Sequence, residues 1–215
     1  PLQKQGQVRW WKTPEKGKVY VIALDPSLGT GGDNSALQVY QLPEMIQVAE
    51  WMHNKTTIQR QVRILAEITK YISEAIQDQY SVYYSVENNT LGEAALVSIS
   101  EIGEENIHGI FLSEPYKPGN ARRFRKGFNT TNKSKLTACA KMKNLIESKR
   151  MSINSKTLIG ELKHFVANGS SYAAKPGEKD DLVMSTVLAL RMSVTLQSYD
   201  PEIQKRLQDS LDDVV

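Results

Sequence analysis

The stretch that most constrains the fold is Val19–Leu24, inside "VYVIALD". Its apolar and β-branched residues run on without alternation, the pattern of a strand buried on both faces. The chain must therefore build a sheet covered on each side where Lys18–Asp25 runs. The strand ends on Asp25, a charge that is costly to bury unless something compensates it. The glycine-rich loop "GTGGDNS" follows, and then two more strand patterns, Ser35–Leu42 and Met45–Met52, with a tight turn at Pro43–Glu44. The opening is antiparallel.

The rest of the chain alternates helix and strand. Thr57–Gln79 carries Ile58, Val62, Leu65, Ile68, Ile72 and Ile76 at steps of three and four, which predicts a helix with one buried face. Ser81–Glu87 is a second apolar strand ending on an acid, and Asn89 or Thr90 opens a shorter helix through Leu91–Ser100. His108–Leu112 reads as a fifth strand, and Ser113–Thr130 as a basic loop. Thr131–Ser148 is helical, with Leu136, Cys139, Ala140, Leu145 and Ile146 expected on its buried side. A short strand at Met151–Ile153, a helix capped by Ser155 and a hairpin over Asn168–Gly169 come next. Asp180–Gln197 is the last long helix, with Met184, Val187, Leu188 and Val194 expected in the core. Three hairpinned strands, a helix, a strand, a helix, a strand and further helices follow the order of the ribonuclease-H-like (RuvC-type) fold, an α/β mixed sheet with helices on both faces.

Length and composition fit one such domain: 215 residues, 40% hydrophobic and 24% charged. No apolar run reaches the roughly 18 residues of a membrane span, so no membrane partner is expected. The single cysteine, Cys139, cannot form an internal disulfide and suits a reducing compartment. His53, His108 and His164 are scattered without metal-ligand spacing. Charge is unevenly placed. From Lys117 to Arg150 the only acid is Glu147, whereas Asp200, Glu202, Asp209, Asp212 and Asp213 crowd the end of the chain. That asymmetry predicts a polyanion-binding face and an acidic tail.

The acids suggest chemistry. Asp25 and Glu87 end strands, and Asp180 and Asp181 open the last helix, where the helix dipole favours negative charge. In a mixed sheet these ends converge at one edge. Converging carboxylates repel, and a hard divalent ion relieves the repulsion; all-oxygen ligation suits Mg²⁺ or Mn²⁺, as one or two ions. Asp33 in the glycine loop is a further candidate metal ligand. Each acid also has a plainer explanation: helix capping for Asp180 and Asp181, a lysine partner for Glu87, an Asx turn before Pro26 for Asp25. The glycine loop has neither the Walker phosphate-loop pattern nor the third glycine of a dinucleotide fingerprint. A turn needing positive φ and the phosphate-cradling turn of actin-like ATP-binding folds both remain open for it.

In order along the chain, "VIALDPSLGTGGDNSALQVY", "YYSVENN" and "KDDLVMSTVLAL" resemble the three acidic motifs of the nuclease domain of phage terminase large subunits, nearest the T-even type. The resemblance spans about Lys18 to Leu196. It implies a metal-dependent endonuclease that cuts concatemeric double-stranded viral DNA with low sequence specificity as a head is filled. It further implies that Asp25, Glu87 and one of Asp180 and Asp181 are the catalytic metal ligands. Family members often carry histidine before the Asp-Asp pair, where this chain has Lys179. Such subunits carry an ATPase motor ahead of the nuclease and work with a portal and a small terminase subunit in the host cytoplasm. Residues 1–17 are accordingly expected to be an interdomain linker, 18–197 the nuclease domain and 198–215 the tail, with Trp10 and Trp11 packing on the motor or on the domain's own surface. Arg122, Arg123, Arg125, Lys126, Lys133 and Lys135 are the candidate DNA-phosphate contacts. Two rival readings are an actin-like ATP phosphohydrolase or kinase, and a non-catalytic module that guides DNA and docks on the portal.

Overall fold

The computed structural model describes residues 1–5, 7–115 and 126–199. Seven strands form one mixed sheet: β1 (Gln3–Gln5), β2 (Val8–Trp10), β3 (Val19–Asp25), β4 (Ser35–Leu42), β5 (Ile46–His53), β6 (Val82–Val86) and β7 (Ile110–Phe111). Their order across the sheet is β1-β2-β5-β4-β3-β6-β7. Five helices accompany them: α1 (Ile58–Ile76), α2 (Thr90–Ile102), α3 (Asn132–Glu147), α4 (Lys156–His164) and α5 (Asp181–Tyr199). A separate hairpin, β8 (Phe165–Asn168) and β9 (Ser171–Ala174), lies between α4 and α5 in the chain.

β3 shows why its sequence does not alternate. Val19, Val21 and Ala23 join one core cluster with residues of α3 and α5, while Tyr20, Ile22 and Leu24 join a second with residues of α1 and α2. Both faces are dry, so both sets must be apolar. β3 pairs antiparallel with β4, from Val19 opposite Leu42 to Asp25 opposite Ala36. On its other side it pairs parallel with β6, from Tyr20 opposite Val82 to Leu24 opposite Val86. Asp25 and Glu87 therefore leave the sheet side by side.

α1 begins at Thr57, whose side chain accepts the Arg60 amide, and buries Val62, Leu65, Ile68, Ile72 and Ile76 as the spacing predicts. It stops at Ile76, short of the expected Gln79, because Gln77 turns left-handed and Asp78 caps a separate 3₁₀ turn over Gln79–Ser81. α5 is buried along most of its surface; Leu182, Val183, Val187, Leu188, Ala189 and Leu190 are inaccessible or nearly so, whereas Val194, expected in the core, is 42% exposed. It packs on β3 and β4, with the Ser185 hydroxyl donating to the Ala23 carbonyl at 2.8 Å. That bond fixes the start of α5 over the acidic end of β3.

Three expectations are corrected. Within the segment read as a linker, residues 3–5 and 8–10 are strands, and β2 pairs with β5. Trp10 belongs to the second core and packs on Tyr71, ring centroids 4.8 Å apart. On α3 the buried residues are Ala138, Cys139, Met142 and Leu145, whereas Leu136 is 44% exposed, Ile146 39%, and Ala140 also faces solvent. The 138–142–145 steps define the stripe, and polar neighbours had hidden Met142's place in it. Met151–Ile153 makes only one isolated bridge, Ser152 to Ile46.

A buried polar cluster locks β2 in place. Glu50 on β5 is fully buried, accepting from Arg9 at 2.5 Å, Ser155 at 2.8 Å and Gln47 at 3.2 Å. The Gln47 carbonyl oxygen Oε1 in turn accepts the amides of Asn154 and Ser155, both at 2.8 Å, tying the start of α4 to the sheet. Among the described residues no helix is long and apolar enough to cross a membrane.

Candidate active site

The first two acids are brought together by strand register. The Glu87 amide donates to the Leu24 carbonyl at 3.0 Å, extending the β3–β6 ladder one residue past its end. Behind it, Gly92 in the first turn of α2 approaches so closely that a Cβ there would lie 1.9 Å from the Glu87 carbonyl oxygen. Glu87 is buried, and its carboxyl shares a hydrogen bond with that of Asp25. Burial first, then the charge of Glu87 and the shared bond, then Asp181 and Asp180, hold the Asp25 carboxyl well above the usual carboxylate range.

Asp180 and Asp181 enter from the start of α5. The Asp181 carboxylate reaches across to the loop after β3, accepting from the Asn34 side chain at 2.7 Å and its amide at 3.2 Å. Burial raises its pKa; the Asn34 bonds and the Lys179 charge oppose that rise. Asp180 accepts the Ala174 amide of β9 at 3.2 Å. Neither carboxylate caps its own helix. Glu161 of α4 does so instead, accepting the Val183 amide at 3.0 Å. Glu161 is itself buried and pushed up to about 8, first by desolvation, with the backbone bond to Val183 opposing and the charges of Asp181 and Asp180 adding. Capping, the plainer explanation for the Asp-Asp pair, is thus met by another residue.

Asp33 stands further out. It is 79% exposed and accepts from Lys179 at 2.6 Å, yet its charge still adds to the repulsion felt by Asp181. The glycine turn is committed to packing: Gly29 has φ of 72°, and a Cβ there would meet the Thr56 carbonyl oxygen at 2.1 Å. The Gly31 amide donates to the Asn54 carbonyl at 2.7 Å.

Among the described residues no three His, Cys, Asp or Glu side chains are gathered tightly enough to chelate an ion as they stand. Asp181 accepts from Asn34 and Asp180 from Ala174, and both still act on Asp25 through their charge. The donor set nevertheless fits a hard divalent cation. It is all oxygen, and it pairs half-buried Asp25 with buried Glu87, two carboxyls whose shared hydrogen bond needs a proton that an ion can replace.

A family model, the terminase RNaseH-like domain, matches residues 22–193. The chain belongs to this family. Its fold is that of solved terminase nucleases. The large terminase nuclease of thermophilic phage G20c with bound magnesium is 20% identical, superposes with a TM-score of 0.64, and is matched over 88% of this chain and 89% of that one. The large terminase nuclease domain of a Thermus phage gives 19% identity and a TM-score of 0.63 over 93% and 90% of the two chains. The human cytomegalovirus terminase nuclease domain gives 12% and 0.61 over 88% and 87%. At such identities the likeness carries the fold, a ribonuclease-H-like mixed sheet.

The basic residues of this terminase domain are partly placed. Arg122, Arg123 and Arg125 lie outside the described residues. Lys126 pairs with Glu104 and sits over the Phe111 ring, 4.8 Å from its centroid. The chain returns beside the acids there: Phe128 bridges to Glu87, and the Asn88 side chain donates to the Lys126 carbonyl at 2.8 Å. Lys133 is exposed in the first turn of α3, and Lys135 lies over Phe165 at 5.3 Å.

Two further residues of the terminase domain escaped the sequence reading. Glu161 follows Leu158 by three positions on the buried face of α4, and an acid on such a face was the available signal. Arg191 is the one cation inside the apolar run of α5. It is 8% exposed, pairs with Glu114, and donates to Thr130 at 2.9 Å and the Asn129 carbonyl at 3.2 Å. It thereby ties the described residues on both sides of 116–125 to the helix that carries Asp181.

Proposed function

We propose that this domain is a divalent-metal-dependent DNA endonuclease that hydrolyses phosphodiesters of double-stranded DNA with low sequence specificity, trimming concatemers as viral heads fill. The observation that carries the reading is that the β3–β6 register sets half-buried Asp25 beside buried Glu87, with Asp181 and Asp180 close enough for their charges to act on Asp25. Asp25, Glu87 and Asp181 are the proposed holders of one or two Mg²⁺ or Mn²⁺ ions. Asp181 is favoured over Asp180 because it is buried and bonded across to the loop that follows Asp25. Bound there, such ions lower the pKa of a water nucleophile and stabilise the leaving oxygen of an in-line displacement. The chain's own residues supply the rest. Asn34 and Glu161 position Asp181 and its helix, Gly92 sets the position of Glu87, and Lys179 with Asp33 borders the acids. Arg122, Arg123, Arg125, Lys126, Lys133 and Lys135 are the proposed phosphate contacts.

The magnesium-bound phage relative and the Mn-soaked cytomegalovirus domain support the choice of ion. An ATPase motor of the same large subunit, a portal and a small subunit are the proposed partners, in the host cytoplasm. Incubation with plasmid and Mg²⁺ or Mn²⁺, without ATP, tests the activity. Cleavage that disappears in Asp25→Ala and Glu87→Ala supports the reading. Undiminished cleavage by either variant, or ATP turnover without cutting, overturns it.

A further inference from the structure

At the end of the sheet opposite Asp25 lies a cavity of about 560 Å³, bounded by the last turns of α3 and α5 and by the turn between β4 and β5. Lys141, Lys149 and Arg150 line it, together with Asn144, Ser152 and Ser193. Lys149 and Arg150 are exposed, and none of the three cations has a carboxylate partner among the described residues. One acid, Glu44, also lines the recess, and it is already bound to Lys18 at 2.9 Å. Partial burial, and then the charge of Arg150, lower the Lys141 pKa. Cations that crowd one another in a recess, with amide and hydroxyl donors around them, match an anion with several oxygens to satisfy.

The recess also ends a stripe. Lys133, Thr137, Lys141 and Asn144 are four, four and three positions apart along α3, so they share one face. The helix starts at the acidic end of the domain, where it packs on β9, the strand that holds Asp180. From Lys133 to Asn144 the stripe is about 17 Å long, and Lys149 and Arg150 extend it. One strand of duplex DNA presents a phosphate about every 3.4 Å, so this face meets a succession of them. An acidic peptide has no reason to need so long a row.

We propose that the recess formed by Lys141, Lys149 and Arg150, at the far end of the α3 stripe that leads from Lys133, is a second phosphate-binding tract, holding the DNA backbone at the end of the domain remote from the acids. The inference rests on the reading of this chain as a DNA-acting domain, but its test needs no cutting. Duplex binding by the full chain is measured by fluorescence anisotropy in EDTA across a salt series. Lys149→Asn, which tolerates the left-handed backbone at that position (φ 58°), is combined with Arg150→Gln. The plot of log affinity against log salt is expected to flatten by about 1.8, at about 0.9 per lost phosphate contact. Lys70→Gln, on the opposite helical layer, removes one charge outside the tract and is expected to leave the slope unchanged. An unaltered slope in the double variant overturns the proposal, as does an equal loss per charge in Lys70→Gln. Loss of poly-glutamate binding with DNA binding intact also overturns it and assigns the recess to an acidic protein. Because the acids take no part in EDTA, failure of the nuclease reading would leave this result standing.

Discussion

Gly92 offers the sharpest test of how the acids are positioned. A Cβ at this residue would lie 1.9 Å from the Glu87 carbonyl oxygen, where ordinary contact begins at 3.4 Å. Gly92→Ala therefore demands a displacement of about 1.5 Å, shared between the α2 start and the strand end that carries Glu87. Neither side yields easily, since the Glu87 amide is bonded to Leu24 and the Asn88 amide to the Phe128 carbonyl at 2.7 Å. Overpacking of this kind costs about 1–3 kcal/mol. Alanine's better helix propensity returns just under about 1 kcal/mol. A net loss of up to about 2 kcal/mol lowers the melting temperature by up to about 8 °C in a domain of this size. The effect on rate is expected to be larger, because a 1 Å misplacement of a reacting constellation costs on the order of 10²-fold. Thermal unfolding in EDTA and metal-dependent plasmid cleavage give the two readings. Gly160→Ala is the internal contrast: nothing lies within 4 Å of its Cβ, so helix propensity alone acts and stability rises. A Gly92→Ala protein that melts and cuts like the parent would show that the α2–β6 approach does not hold Glu87.

Stability in EDTA should fall as pH rises. Glu161 titrates near 8 in the folded chain against an ordinary 4.5, so its contribution is complete below about 4.5 and is lost as pH climbs through about 8. Asp25 and Asp181 are shifted in the same direction. Glu161→Gln should flatten that decline in denaturant titrations at several pH values, and a slope identical to the parent's would exclude Glu161 as its source. Asp25→Asn removes a half-buried repulsive charge, so in EDTA it should melt no lower than the parent. With Mg²⁺ or Mn²⁺ at about a hundred times its dissociation constant, the parent should gain about 2.7 kcal/mol. The variant should lose most of that gain, and an equal gain in both would remove Asp25 from the ion site.

The central sheet and its acids were legible because burial on two faces leaves an unmistakable sequence. Val19–Leu24 could only be an inner strand, and an acid at its end stood out against it. The edge strands were not legible. Gln3–Gln5 and Val8–Trp10 are only three residues each, the first is polar, and β2 is held by Arg9 and Glu50, a contact no local pattern announces. Around the acids, sequence order picked out Asp25, Glu87 and the Asp-Asp pair as candidates and left the pair unranked. The proposed ranking rests on Asn34, which reaches Asp181 from 147 positions away. Glu161 and Arg191 were missed for a related reason: single charges on apolar helical faces look like defects in a pattern until their partners are seen.

The Arg9–Glu50 contact has a practical corollary for anyone trimming this chain. Starting an expression vector at Lys18 would look sensible, yet it would delete the guanidinium and strand a fully enclosed carboxylate in the interior. Breaking such a pair by removing one member costs about 3–5 kcal/mol, a large share of what keeps an ordinary domain folded. The first seventeen residues should travel with the rest.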